Sequence, residues 1–160
     1  METYEKTLDW ETYWDEADES DREKADASSV HIVKPLTEFF EARGAPSSYA
    51  DVGCGPASTI FELADRYPES TAVGYDAAEQ VLDSNRACVD QEGYEDISFE
   101  STVLPEFDPH EEFEVVSSFF TLCYIPEIER ALENLYDAVE PGGYLVFTYH
   151  NEYAQSIFSG

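Results

Sequence analysis

Between Asp51 and Ala57 the chain reads Asp-Val-Gly-Cys-Gly-Pro-Ala, and Ser58-Thr59 follows as the opening of a helix. Glycines at 53 and 55 let the backbone turn sharply and approach a ligand, while the helix N-terminus behind them offers unpaired N–H groups. A small ligand fits across such a turn. Asp76 stands 23 positions after Gly53, at the end of an apolar run, where an acidic side chain accepts hydrogen bonds from both hydroxyls of a ribose. Two features separate this pattern from a nicotinamide site. Ser58 falls where the third glycine of the dinucleotide fingerprint would stand, and Asp51 precedes the first glycine by two. A carboxylate there repels a pyrophosphate and suits a cation.

Elsewhere the chemistry-bearing residues are few. His150, after the last apolar run, is a candidate general base, with an ordinary strand-end histidine as the alternative. Tyr124 is a weaker candidate, set against a packing role at a helix start. His31 falls in a helical segment and His110 in an acidic loop. The three cysteines Cys54, Cys88 and Cys123 are odd in number and lack metal-ligand spacing, so neither a disulfide framework nor a metal site is expected. Cys54, between the two glycines, reads as a small packing residue of the ligand loop rather than a nucleophile.

These residues require a particular frame. From Tyr49 onward short apolar runs alternate with amphipathic segments, the pattern of strand and helix units building a parallel sheet. Strands are expected near Tyr49–Val52, Thr71–Tyr75, Ile97–Ser101, Glu114–Ser118 and Tyr144–Tyr149. Helices are expected near Ser58–Tyr67, Ala78–Val89 and Pro126–Val139, the last ended by Pro141-Gly142-Gly143. Upstream, Ser28 to Arg43 reads as a helix that Pro35 must begin or kink. The aromatics Tyr13 and Trp14 either fold over the ligand as a lid or staple the N-terminal segment to the core, the staple being favoured. The expected organisation is a segment 1–44 packed on a ligand-binding domain 45–160.

At Asp51, Gly53 and Gly55 the sequence resembles the class I S-adenosylmethionine-dependent methyltransferases, whose first motif is an acid followed by Gly-x-Gly. The resemblance runs from Tyr49 to Asn151, roughly two-thirds of the chain. Phe113 to Glu127 (FEVVSSFFTLCYIPE) is similar to the fourth-strand motif of the small-molecule members, and Pro141 to Phe147 (PGGYLVF) to their turn into the fifth strand. The resemblance implies a doubly wound, Rossmann-like, mostly parallel α/β sheet with helices on both faces. It implies S-adenosylmethionine as cofactor, whose ammonium and sulfonium account for the acid, and methyl transfer to a small molecule. By position, Asp51, Gly53 and Gly55 (with Cys54 between them) meet the methionine end and Asp76 the ribose. Ala77 and Val81 flank the adenine, Thr102 and Val103 meet the base, and Ser118 and Phe119 close the pocket. Thr102 stands about where the family often has an Asp. The Asn-Pro-Pro-Tyr type motif of nucleic-acid amino-methylases is replaced by Ser118-Phe119-Phe120-Thr121.

The family order 3-2-1-4-5-7-6 ends in an antiparallel hairpin, which is not expected within these 160 residues because Gly160 follows soon after the fifth strand. That strand is then expected at an edge, either covered by a homodimer or, as the alternative, left open because the sequence is a piece of a longer chain. Two other readings stay open: a catalytically incomplete module of the same fold, and a nicotinamide oxidoreductase, against which the spacing and Asp51 argue.

Composition bounds the partners. Thirty-six Asp and Glu face 8 Lys and Arg, a formal charge of −28, which leaves no basic stripe for nucleic acid or an anionic membrane. With 42% hydrophobic and 14% aromatic residues the chain has core material that disordered tracts lack. Acids spread from Glu2 to Glu152 resemble the surfaces of halophile proteins, where salt screens self-repulsion. The start METYEKTLDW has no signal-peptide pattern, so a cytoplasmic location is expected.

Overall fold

The computed structural model describes residues 10–149, omitting the side chains of 10, 11 and 21–30. His150 lies outside the described residues. The chain forms α1 (Trp10–Glu16), α2 (Glu19–Arg43), β1 (Ser48–Val52), α3 (Ser58–Arg66), β2 (Thr71–Asp76), α4 (Glu79–Glu92), β3 (Ile97–Ser101), β4 (Phe113–Ser118), a 3-10 turn (Leu122–Tyr124), α5 (Ile128–Asp137) and β5 (Val139–Phe147). The strands make one sheet in the order β3-β2-β1-β4-β5, and every pairing is parallel. Among the described residues no helix is long and apolar enough to cross a membrane.

Two apolar layers flank the sheet because successive strand residues point to opposite faces. On one face Ala50, Val52, Val73, Tyr75 and Val116 pack with Ala131 and Leu135 of α5. On the other, Tyr49, Ala72, Phe99 and Val115 pack with Leu36 and Phe40 of α2, Ile60 and Leu63 of α3, and Leu82 of α4. The inner strands β1, β2 and β4 are buried on both sides over most of their length, and such strands read as largely apolar runs in the sequence.

Several boundaries differ from the sequence reading. Helix α2 starts at Glu19 rather than Ser28, and Pro35 sits inside it. Burial of Ile32, Val33, Leu36 and Phe40 on one side outweighs a missing backbone bond of ~3 kcal/mol on the other, at ~1.5–3 kcal/mol for each large apolar side chain buried. Helix α5 begins at Ile128, not Pro126, because the Glu127 carbonyl accepts its first helical bond, from Ala131 N–H at 3.0 Å. The Pro141-Gly142-Gly143 turn lies within β5, as an irregularity between the pairs Phe113–Val139 and Val115–Tyr144. Gly143 allows it, since a Cβ there would lie 2.4 Å from the Glu114 carbonyl oxygen. The strand then ends at Phe147.

Among the described residues, strand β5 is one edge of the sheet. Its Tyr144 stacks edge-on against Phe39 of α2 with ring centroids 5.0 Å apart, and the Arg43 guanidinium lies 4.7 Å from the Phe39 ring centre.

Candidate active site

The carboxyl ends of β1, β2 and β4 open onto a cavity of about 350 Å³, within the usual range for small-molecule sites. Its floor is the turn from Gly53 to Ala57. Gly53 N–H and Cys54 N–H both donate to the Tyr75 carbonyl, at 2.7 and 3.0 Å, which ties the turn to β2. Gly53 has φ +81°, and a Cβ there would stand 2.2 Å from Thr121 Oγ1. Only glycine fits both the dihedral and the space. Ala57, in front of α3, and Phe120, after β4, also have positive φ, 60° and 55°. Both line the cavity, so two of its non-glycine residues are held in a sparsely populated backbone conformation, which clusters at ligand sites.

Two acids lie on this floor. Asp51 is 4% exposed and accepts from Ser117 Oγ at 2.7 Å. With the Ser117 proton committed there, Tyr49 O–H donates to Ser117 Oγ at 2.6 Å and completes a chain of hydrogen bonds. The pleat makes this possible, because Asp51 and Ser117 are register partners on adjacent parallel strands. Burial lifts the Asp51 carboxyl to about 7, the Ser117 bond opposes the rise, and the Asp76 charge adds to it. Asp76 accepts from Gly55 N–H at 2.8 Å through one oxygen and from Ala78 N–H at 3.0 Å through the other. It therefore locks the glycine turn to the entrance of α4. Its carboxyl is also raised by burial, which the backbone donors at Ala78, Gly55 and Ala77 counter. Asn85 of α4 donates to the Gly55 carbonyl at 2.8 Å and holds the same turn from below.

Three groups of side chains form the walls. Ala77, Thr102, Val103 and Leu104 stand beside Asp76; Phe119, Phe120, Thr121, Tyr124 and Ile125 follow β4; Tyr13, Trp14 and Ile32 come from α1 and α2. Trp14 is 8% exposed and packs on Ala78 and Val81. It is thus buried against α4 and lines the cavity at once, so the lid and staple readings of Trp14 describe one placement.

Of the candidate residues, Asp51, Gly53, Cys54, Gly55, Asp76, Ala77, Thr102, Val103, Phe119 and Tyr124 meet on this cavity. Two candidates do not. Ser118 faces the opposite side of β4 and is spent on a 2.8 Å bond to the Val52 carbonyl. Val81 packs on Trp14 and Ala78, away from the cavity lining. Cys54 has its thiol pushed up by burial and by the Asp76 and Asp51 charges, the reverse of what a thiolate nucleophile needs. Burial, with Cys123 and Tyr13 nearby, likewise raises the Tyr124 phenol. Sequence reasoning missed Tyr49, Ser117, Asn85, Phe120 and Thr121. The polar Ser117 within an apolar strand was a signal, whereas Thr121 and Phe120 take their roles from loop placement alone.

Comparison with known proteins agrees with this geometry. A family model described as a methyltransferase domain matches residues 23–157. Trans-aconitate 2-methyltransferase of Variovorax paradoxus is 32% identical over 116 residues, covering 71% of this chain and 43% of that protein. The enzyme of the same name from Streptomyces coelicolor is 28% identical over 120 residues, covering 72% and 40%. The chain thus spans less than half the length of these curated relatives. Among solved structures, the N-methyltransferase NodS of Bradyrhizobium japonicum, determined with S-adenosyl-L-homocysteine, superposes with a TM-score of 0.62 at 20% identity, over 88% of this chain and 67% of that one. That likeness shows the fold.

Proposed function

The chain belongs to the methyltransferase domain family of class I S-adenosylmethionine-dependent enzymes, and from that membership we propose that it binds S-adenosylmethionine and transfers the methyl group to a small-molecule acceptor. The observation that carries this is the Asp76 carboxylate accepting Gly55 N–H at 2.8 Å. It brings the glycine turn and the second acid onto the cavity that Asp51 also lines.

The residues present fit this cofactor. A side chain at Gly53 would fill the space at the turn, and Asp51 is a buried acid suited to a cation. Asp76 retains lone pairs beyond its two backbone donors for ribose hydroxyls. Thr102, Val103 and Leu104 would meet the base, and Phe119 to Thr121 would shield the reacting centre from water. When bound, the cofactor supplies an electrophilic methyl on a sulfonium. The protein's part is then to align the acceptor and exclude water, for which no general base is needed when the acceptor is already nucleophilic. His150 and Tyr124 stay candidates for deprotonating an acceptor that requires it. Trans-aconitate, named for the curated relatives, is one acceptor to try.

The same reading takes residues 1–44 as a segment packed on the cofactor domain 45–160. It takes the protein as a cytoplasmic one adapted to high salt, acting on small molecules and not on nucleic acid or membranes. It also includes a homodimer across β5, which light scattering tests. Support for the dimer is the edge position of β5 and the 39% and 43% exposure of Tyr144 and Phe147.

Calorimetric titration in molar potassium chloride with S-adenosylmethionine, S-adenosylhomocysteine and NAD tests the proposal. Micromolar binding of the first two, lost in Asp76→Ala, is the expected result. Folded protein that binds neither overturns it. Binding without turnover of any acceptor assigns the catalytically incomplete module.

A further inference from the structure

We propose that the acceptor of this site is an amine carried on an apolar or aromatic body, and not a carboxylate. The inference rests on the cofactor reading above and deepens it.

Charge on the cavity comes from one sign. Asp51 and Asp76, 4% and 8% exposed, lie on the floor, and among the described residues no Lys, Arg or His lines it. The bound cofactor's ammonium would offset Asp51, but no cationic side chain among the described residues lines the cavity to receive an acceptor carboxylate. The field of the whole chain, with a formal charge of −28, acts in the same direction and raises the local concentration of cations.

The wall beyond Gly53 is aromatic. Thr121 closes over Gly53, as the 2.2 Å approach to a Cβ there shows. Phe120, Tyr124 and Tyr13 remain 41%, 41% and 38% exposed at the cavity. Ring faces presented to an incoming ligand stabilise a cation, most strongly where water is excluded. Methyl transfer to an amine creates such a cation. The nitrogen lone pair forms the new C–N bond as the C–S bond breaks and its electron pair returns to sulfur. The products are an alkylated ammonium and a neutral thioether, and a secondary amine then releases its N–H proton to water. With the cofactor bound, the charge would pass from sulfur to nitrogen in a cavity that Phe120, Tyr124 and Tyr13 line. A carboxylate acceptor would end as a neutral ester, which this lining does not favour.

The test uses the whole chain in molar potassium chloride at pH 9, with N-methylbenzylamine, phenylacetate and trans-aconitate as probes. Binding of each to protein saturated with S-adenosylhomocysteine is measured by calorimetry, and methyl transfer from S-adenosylmethionine by product mass. The amine is expected to bind at least tenfold more tightly than either carboxylate and to be the probe that gains a methyl group. Phe120→Gly, which removes a ring where the backbone φ of 55° suits glycine, is expected to weaken amine binding at least fivefold more than S-adenosylhomocysteine binding. Equal or tighter carboxylate binding, or no amine binding to the loaded protein, overturns the inference while leaving the cofactor reading intact. Failure of S-adenosylhomocysteine itself to bind overturns both.

Discussion

Ser117 Oγ lies 2.7 Å from Asp51 Oδ1 across the β1–β4 pair and donates its proton there. This bond is the side-chain interaction that holds the Asp51 charge in place, and burial opposes it strongly enough to lift the carboxyl from 3.8 to about 7. The native chain therefore keeps a proton between pH 3.8 and about 7 that the unfolded chain has released. The contribution of Asp51 to stability falls as pH rises through that window and is lowest above it. A cation beside Asp51 reverses the preference. Cofactor affinity is expected to weaken as pH drops below about 7, approaching tenfold per pH unit, and to be flatter in Asp51→Asn. Calorimetry from acidic to alkaline pH measures this; identical profiles for the two proteins would remove Asp51 as the cation's partner. Ser117→Ala is expected to move the midpoint upward and to cost ~1–3 kcal/mol, since Tyr49 loses its buried acceptor.

Asp76→Ala leaves Gly55 N–H and Ala78 N–H without the oxygens they now reach at 2.8 and 3.0 Å. Each orphaned buried donor costs ~1–3 kcal/mol. A lower urea midpoint and at least ~10-fold weaker cofactor binding are expected together, because charge-assisted bonds contribute ~1.5–3 kcal/mol. A variant as stable as the parent would show that the turn does not depend on this carboxylate.

Gly53→Ala puts a methyl group 2.2 Å from Thr121 Oγ1 on a backbone with φ +81°. Cofactor binding should be lost, with the melting temperature lowered. Thr121→Gly in the same chain removes the side chain in the way and should restore part of the binding. It leaves a left-handed alanine, at ~1–2 kcal/mol. Equal loss in the single and double variants would mean that the dihedral, not the contact, sets the requirement.

With 36 acids against 8 Lys and Arg, self-repulsion is expected to dominate the salt response. The Debye length shrinks from ~10 Å at 0.1 M to ~3 Å at 1 M, so the melting temperature should climb over that range of potassium chloride. Calorimetric melts give the slope directly. A flat or falling response would count against the high-salt reading.

Local residue types and spacing were enough for the glycine turn, both acids, the five strands and three of the helices, because each leaves a short-range trace. The inner strands β1, β2 and β4 are buried on both faces and so largely apolar, and a backbone that turns at positive φ selects glycine at 53 and 55. The start of α2 was not legible in the same way. Packing of Ile32, Leu36 and Phe40 overrides Pro35, and a local rule cannot weigh contacts made by distant strands.

The sequence by itself determined the glycine turn, the two acids beside it and their alternation with the elements of a parallel sheet. Tertiary structure decided which of them meet. Ser118 and Ser117 are neighbours in the chain, yet the pleat turns the first to the Val52 carbonyl and the second to Asp51. Only register assigns those faces, since a shift of one residue exchanges them. Trp14 and Ile32 reach the cavity through the docking of α1 and α2, a contact between segments far apart in the chain. The raised Asp51 carboxyl is likewise a property of burial, and an aspartate in the linear sequence carries no trace of it.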